Sequence, residues 1–276
     1  MKDRLTSAAT IIIFFAAIVL FNRSFPLALN IALALISILS VYEIISALGL
    51  SKNYILLVPS ILFSAVLPFI YPHLLLLQAV YFLYTVVMFG ALIFYHQFIT
   101  FRELGVLYSM TILIPTALET ILEIRQLGGG HGMFYVIIAI SSAWIADTGG
   151  YVGGSLFGKH KLCPNISPKK TVEGVIGGFV LNIAAMLVFG YLFGTVYYHN
   201  SVVVFYQTLL IIGIFSTVMS VLGDLSFSLI KRSCHIKDFS EMIPGHGGIL
   251  DRFDSVIFNA PFIYLLVQVM PIVIKG

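Results

Sequence analysis

Residues 172–192 read VEGVIGGFVLNIAAMLVFGYL, and after Glu173 the stretch carries no charge at all. Its length is about the ~20 residues that a helix needs to cross the hydrocarbon core of a bilayer. Comparable blocks lie outward from it on both sides, near residues 6–21, 26–47, 54–71, 73–95, 104–122, 133–157, 201–230 and 253–274. Hydrophobic residues make up 59% of the 276 and charged ones 10%, with a mean hydropathy of +1.04. A soluble domain carries about 25% charged residues, so this chain has too few to cover a water-facing surface. Alternating strand patterns are missing, which argues against an outer-membrane barrel. The expected architecture is an all-α, polytopic integral membrane protein of about nine transmembrane helices, the fifth interrupted by Pro115 and the eighth long enough to tilt.

The N-terminal stretch, with Lys2 and Arg4 ahead of an apolar run, has the outline of a signal peptide. It lacks a small-x-small cleavage site and is followed by further apolar spans, so it reads as a retained first helix. Cys163 and Cys234 show no metal-ligand spacing and make no disulfide framework. The fifteen Lys and Arg residues divide unevenly over nine spans. Lys2, Arg4, Lys52, Arg102, Lys159, Lys161, Lys169, Lys170, Lys231, Arg232, Lys237 and Arg252 fall on one side, against Arg23, Arg125 and Lys275 on the other. The positive-inside rule makes the richer side cytoplasmic, with the N-terminus inside and the C-terminus outside.

By chemistry the chain divides near Leu127. Residues 1–127 are apolar spans with sparse charge, and residues 128–276 hold spans six to nine with basic loops at 158–171 and 231–252. An ionisable group inside a span costs about 2.5–3.5 kcal/mol on translocon scales, so each needs a partner or a function. Asp147 lies in the cytoplasmic half of the sixth span, Glu173 opens the seventh, and Asp224 sits seven residues before Lys231 in the eighth. Asp251 and Asp254 open the ninth, one helical turn apart. Pairing with nearby Lys and Arg accounts for one or two of these carboxylates. Convergence of acids from four helices is better explained by a divalent cation, and hard oxygen ligands suit Mg2+.

Two polar segments accompany the carboxylates. In SLIKRSCHIKDFSEMIPGHGGILDRFD (228–254 from its first Ser), Lys231, Arg232, Lys237 and Arg252 suit phosphate oxygens. Pro244-Gly245-His246-Gly247-Gly248 forms a tight turn leading into a helix N-terminus, an end suited to anions. In GKHKLCPNISPKKTVEG (158–174), Ser167, Lys169, Lys170, Thr171 and Glu173 gather at a helix entrance, although a basic membrane-surface loop would look similar. Gly153-x4-Gly158-Lys159 spells most of a phosphate-binding loop, but His160 stands where a Ser or Thr should bind Mg2+. Gly150, Gly154 and Gly158 are instead spaced as a helix-packing stripe, within one chain or between two. Glu43, Glu119, Glu123 and the remaining histidines receive no assignment.

From Ser228 to Asp254 the chain resembles the phosphatidate cytidylyltransferase (CDP-diacylglycerol synthase) family. The family's signature is matched by Ser228, Lys231-Arg232, Lys237-Asp238, Ser240, Pro244, His246-Gly247-Gly248, Asp251-Arg252 and Asp254. Ser167-Pro168-Lys169-Lys170-Thr171-x-Glu173-Gly174 resembles a second stretch, with Val172 where Trp is common, and Asp147-Thr148-Gly149 a third. The resemblance is strong from Trp144 to Asp254 and covers the first 130 residues only as hydrophobic spans.

The resemblance implies the transfer of CMP from CTP to phosphatidic acid, giving CDP-diacylglycerol and pyrophosphate with Mg2+, alone or beside a second, monovalent cation. In that reading Asp224 and Asp251 hold the metal, with Asp147 or Asp254 in support. Lys231, Arg232, Lys237, Arg252 and His246-Gly247-Gly248 cradle phosphates, Lys169 and Lys170 hold either substrate, and Ser167, Thr171, Glu173 and Asp238 complete the substrate site. The expected setting is the inner membrane with the site facing the cytoplasm. Membrane lipids and a second copy of the chain are expected partners, and nucleic acid is not. A CTP-dependent polyprenol or phytol kinase is the nearest alternative. A secondary transporter is a further one, but it predicts repeated halves that the sequence lacks.

Overall fold

The computed structural model describes residues 15–19, 21–22, 24–199, 201–243 and 247–275. Most of the expected first span therefore lies outside the described residues. Eight helices occupy the other expected spans: α1 (Ala28–Ala47), α2 (Tyr54–Ile70), α3 (Leu74–Phe94), α4 (Phe101–Leu127), α5 (Gly132–Phe157), α6 (Val172–Tyr191), α7 (Tyr206–Ser233) and α8 (Leu250–Val269). All but α2 and α8 belong to the six candidate spans that are long and apolar enough to cross a membrane, the fifth of them, α6, continuing through the π-helical turn Leu192–Tyr197. The chain is thus a helical membrane protein.

Helix α4 departs from its expected bounds at both ends. At its start Thr100 and Glu103 form a capping box: Thr100 N donates to Glu103 Oε2 at 2.9 Å, and Glu103 N donates to Thr100 Oγ1 at 3.2 Å. The helix then runs through Pro115 to Leu127 without the expected interruption. One missing N–H is tolerable where breaking the helix would leave several backbone groups without partners in hydrocarbon.

Strands also qualify the all-α expectation. The basic loop at 158–171 is a hairpin in which β1 (Lys161–Cys163) pairs antiparallel with β2 (Ser167–Thr171). At the other end of the chain β3 (Val202–Val204) pairs with β4 (Val273–Lys275). Hence α7 starts at Tyr206 and α8 stops at Val269, inside the expected bounds. Three consecutive β-branched residues favour the strand, and Pro271 prevents α8 from continuing. The Tyr135 hydroxyl fixes this pair by accepting from Ile272 N at 2.9 Å and Val273 N at 3.0 Å.

The chain packs as two compact units, which divide it differently from its chemistry. One comprises residues 1–122 and 233–253, the other 123–232 and 254–276. In the first, the Asn30 side chain ties α1 to α2 by donating to Pro68 O at 2.6 Å, and Phe63, Tyr84 and Tyr108 form an aromatic core. In the second, α5 and α6 meet along glycine. A Cβ on Gly177 would lie 2.7 Å from Gly149 O, and one on Gly153 3.0 Å from Gly177 Cα. Close approach therefore runs along two adjacent lines: Gly149 and Gly153 meet Gly177, and Gly150 and Gly154 of the expected stripe meet Gly174, whose Cβ would lie 2.7 Å from Gly150 O, while Gly158 abuts Thr171. This packing lies within one chain. Replacing Gly177 by Val should cost about 1–3 kcal/mol through overpacking, read as a lower melting temperature of the purified protein in detergent.

Candidate active site

Carboxylates from three helices gather in the second unit. Asp147 comes from α5, Asp224 from α7 and Asp254 from α8; Asp147 and Asp254 each interact electrostatically with Asp224, and Asp254 with Asp147. Helix α7 delivers its share as a stripe. Ser220, Asp224, Ser228 and Lys231 follow at spacings of four, four and three residues, so they share one face. Ser220 Oγ donates to Asp147 Oδ1 at 2.6 Å, and Ser228 Oγ to Asp224 Oδ1 at 3.2 Å. Lys231, only 7% exposed, is the cation facing Asp254, itself 5% exposed. Gly223 permits the approach of α8, because a Cβ there would lie 2.5 Å from Asp254 O.

The hairpin supplies the second cation. Successive strand residues point to opposite faces, and β2 accordingly turns Lys169 to solvent and Lys170 inward. Lys170 Nζ forms an ion pair with Asp224 Oδ2, and both side chains keep about a quarter of their surface exposed, at 22% and 28%. A soluble ligand can therefore reach the pair. Two other expected substrate residues close the helix entrance instead. Thr171 Oγ1 caps α6 by accepting from Gly174 N at 3.1 Å. Glu173 accepts from Lys159 N at 3.0 Å and contacts His160 Nδ1 at 2.5 Å. Ser167 stands half-buried at the start of β2.

The signature turn lies in the first unit. Asp251, in the first turn of α8, accepts from Phe239 N and Gly248 N at 3.0 Å each, both on Oδ2. Gly247 has φ +83°, a conformation that favours glycine, and Ile243 N donates to Gly247 O at 2.9 Å across the turn. Arg232, Lys237 and Asp238 are exposed and Arg252 is half-buried. His246 lies outside the described residues, as do Pro244 and Gly245. The N-terminus of α8, expected to take a substrate anion, holds the Glu43 carboxylate, which accepts from Ile249 N and Leu250 N. This group is internal: Glu43 is only 1% exposed.

Over residues 2–270 the sequence matches the cytidylyltransferase family. The chain belongs to that family. Among its relatives, a phosphatidate cytidylyltransferase of Bacillus subtilis is 40% identical over 167 residues, covering 60% of this chain and 59% of its own. Another, of Haemophilus influenzae, is 37% identical over 165 residues, covering 58% and 55%. A third, of Staphylococcus saprophyticus, is 42% identical over 140 residues, covering 50% and 51%. The chain thus spans about half the length of the curated relatives it matches.

This cytidylyltransferase-family cluster offers hard oxygen donors on three helices, with serine hydroxyls beside them, a set that suits Mg2+. Among the described residues no group of three stands arranged to hold a metal ion. Lys170 and Lys231 instead oppose the acids in this arrangement. The donor chemistry fits the ion, with Lys170 on Asp224 Oδ2 and Ser228 on Oδ1. Sequence reasoning missed Ser220 and Glu43. A lone carboxylate in the otherwise apolar 26–47 span was the available signal for Glu43.

Proposed function

We propose that the chain transfers CMP from CTP to phosphatidic acid, giving CDP-diacylglycerol and pyrophosphate. The observation that carries this reading is the cluster of Asp147, Asp224 and Asp254 faced by Lys170 and Lys231, in a chain with relatives that bear the name phosphatidate cytidylyltransferase. A phosphate oxygen of the lipid attacks the α-phosphorus of CTP. The new P–O bond joins CMP to phosphatidate, and the α–β bridging P–O bond breaks with its electrons leaving on pyrophosphate. A phosphate monoester is largely ionised at pH 7, its second pKa being about 6, so no strong base is required. Catalysis then rests on positioning and charge neutralisation.

Mg2+, held by Asp224 with Asp147 and Asp254, would neutralise phosphate charge. Asp251, the other expected ligand, accepts two backbone N–H groups on Oδ2. Lys170 takes a phosphate oxygen in exchange for Asp224, Lys231 faces Asp254 and opposes the charge of the acid cluster, and Ser220 and Ser228 orient their carboxylates. Exposed Lys169, Arg232 and Lys237 attract the nucleotide from water. The reacting face is cytoplasmic, on the distribution of Lys and Arg, in the inner membrane. Purified protein in vesicles should release one pyrophosphate per CTP only when phosphatidic acid is present. Release at an equal rate without phosphatidic acid would contradict the assignment.

A further inference from the structure

The N-terminal helices look like inert anchors in the sequence, yet one of them reaches the signature turn. Glu43, on α1, accepts from Ser240 Oγ at 2.5 Å and Ile249 N at 2.9 Å through Oε1, and from Leu250 N at 2.8 Å through Oε2. Ile249 and Leu250 stand at the start of α8, where amides have no partner within the helix. The partial positive charge of a helix start favours an anion there. Three donors and that field oppose the cost of burying the carboxylate.

Glu43 also explains why position 248 is glycine. A Cβ on Gly248 would lie 2.5 Å from Glu43 Oε1 and 2.6 Å from Oε2. The constraint at Gly247 is different, a backbone φ of +83°. Two carboxylates therefore shape the turn: Asp251 from within α8, through Gly248 N, and Glu43 from α1, through the next two amides. We infer that Glu43 is a positioning residue for this turn and that it, rather than a substrate phosphate, occupies the N-terminus of α8. The N-terminal helices then contribute to the reaction by fixing the segment that carries Lys237, Asp238, Ser240 and Arg252. The link to catalysis rests on the function proposed above; the link to the turn does not.

Hydrogen exchange read by mass spectrometry on peptides covering 247–253 tests the contact directly in the purified full chain. Glu43→Ala should speed exchange of the Ile249 and Leu250 amides by about tenfold or more, since each loses its acceptor. Exchange at the wild-type rate would overturn the inference, whether or not the protein turns over CTP. Transfer kinetics supply the second arm. Glu43→Ala and Gly248→Ala should each lower kcat/KM for CTP by about tenfold or more, and the double variant should be no worse than Glu43→Ala, because the methyl group then has room. Losses that multiply would show that Gly248 does not answer to Glu43. If Glu43→Ala fails to accumulate, Ser240→Ala removes one of the three donors and should still lower kcat/KM about threefold. An unchanged value there would also count against the inference.

Discussion

Asp224→Asn should lower kcat by about 10^2–10^3-fold, the range seen when one element of a preorganised electrostatic site is removed. The replacement keeps the size of the side chain and an oxygen that can still accept from Ser228 Oγ, now at 3.2 Å from Asp224 Oδ1. It removes the charge that Lys170 pairs with. Folding should therefore survive, with a melting temperature close to that of the wild type, while turnover is lost. Initial rates in mixed micelles at saturating CTP and phosphatidic acid give the answer. A folded Asp224→Asn protein with more than about a third of wild-type kcat would remove Asp224 from the centre of the site.

The second large effect is on stability. Lys231 is buried at 7% exposure, faces Asp254 at 5%, and belongs to the same α7 stripe as Asp224. Lys231→Met keeps much of the chain length but leaves a buried acid without its cation. Removing the cation that faces a buried acid should cost stability, at most the about 3–5 kcal/mol of a buried pair broken from one side. The variant should unfold at a clearly lower denaturant concentration, and adding Asp254→Asn should recover part of the loss by removing the orphaned charge. Equal stability of wild type and Lys231→Met would show that the buried cation does not offset the acids.

Much of this site was legible because its parts obey short-range rules. Asp224 and Lys231 are seven residues apart, which on a helix means one face two turns on, and their cost in an apolar span signalled a function. Ser228 follows from the same spacing. Asp147 and Asp254 were legible as acids at span ends, although sequence alone could not say which would stand beside Asp224. Asp251, in the other unit, accepts from Phe239 N and Gly248 N. Thr171 and Glu173 carry the residue types of a substrate site, but a hydroxyl and an acid at a helix start also serve as caps, and local geometry decides between the two.

Longer-range relations were not legible. Glu43 meets Ser240 across 197 positions, and nothing in either neighbourhood names the other. The β1–β2 hairpin is too short for alternation to stand out, particularly with Pro168 inside it, so its basic residues read as a surface loop. Its consequence is functional: alternation along β2 separates Lys169, in solvent, from Lys170, on Asp224. The second glycine line, through Gly149 and Gly153, was not legible beside the expected one through Gly150 and Gly154, because only the position of α6 shows that both meet its glycines.

The most direct test follows the phosphorus. Wild-type and Asp224→Asn proteins in phosphatidic acid vesicles receive CTP labelled at either the α or the γ position. The account predicts lipid label from α-labelled CTP only, γ label recovered wholly in pyrophosphate, and neither signal above about 1% of wild type for Asp224→Asn. Lipid label from γ-labelled CTP, or undiminished transfer by Asp224→Asn, would contradict it.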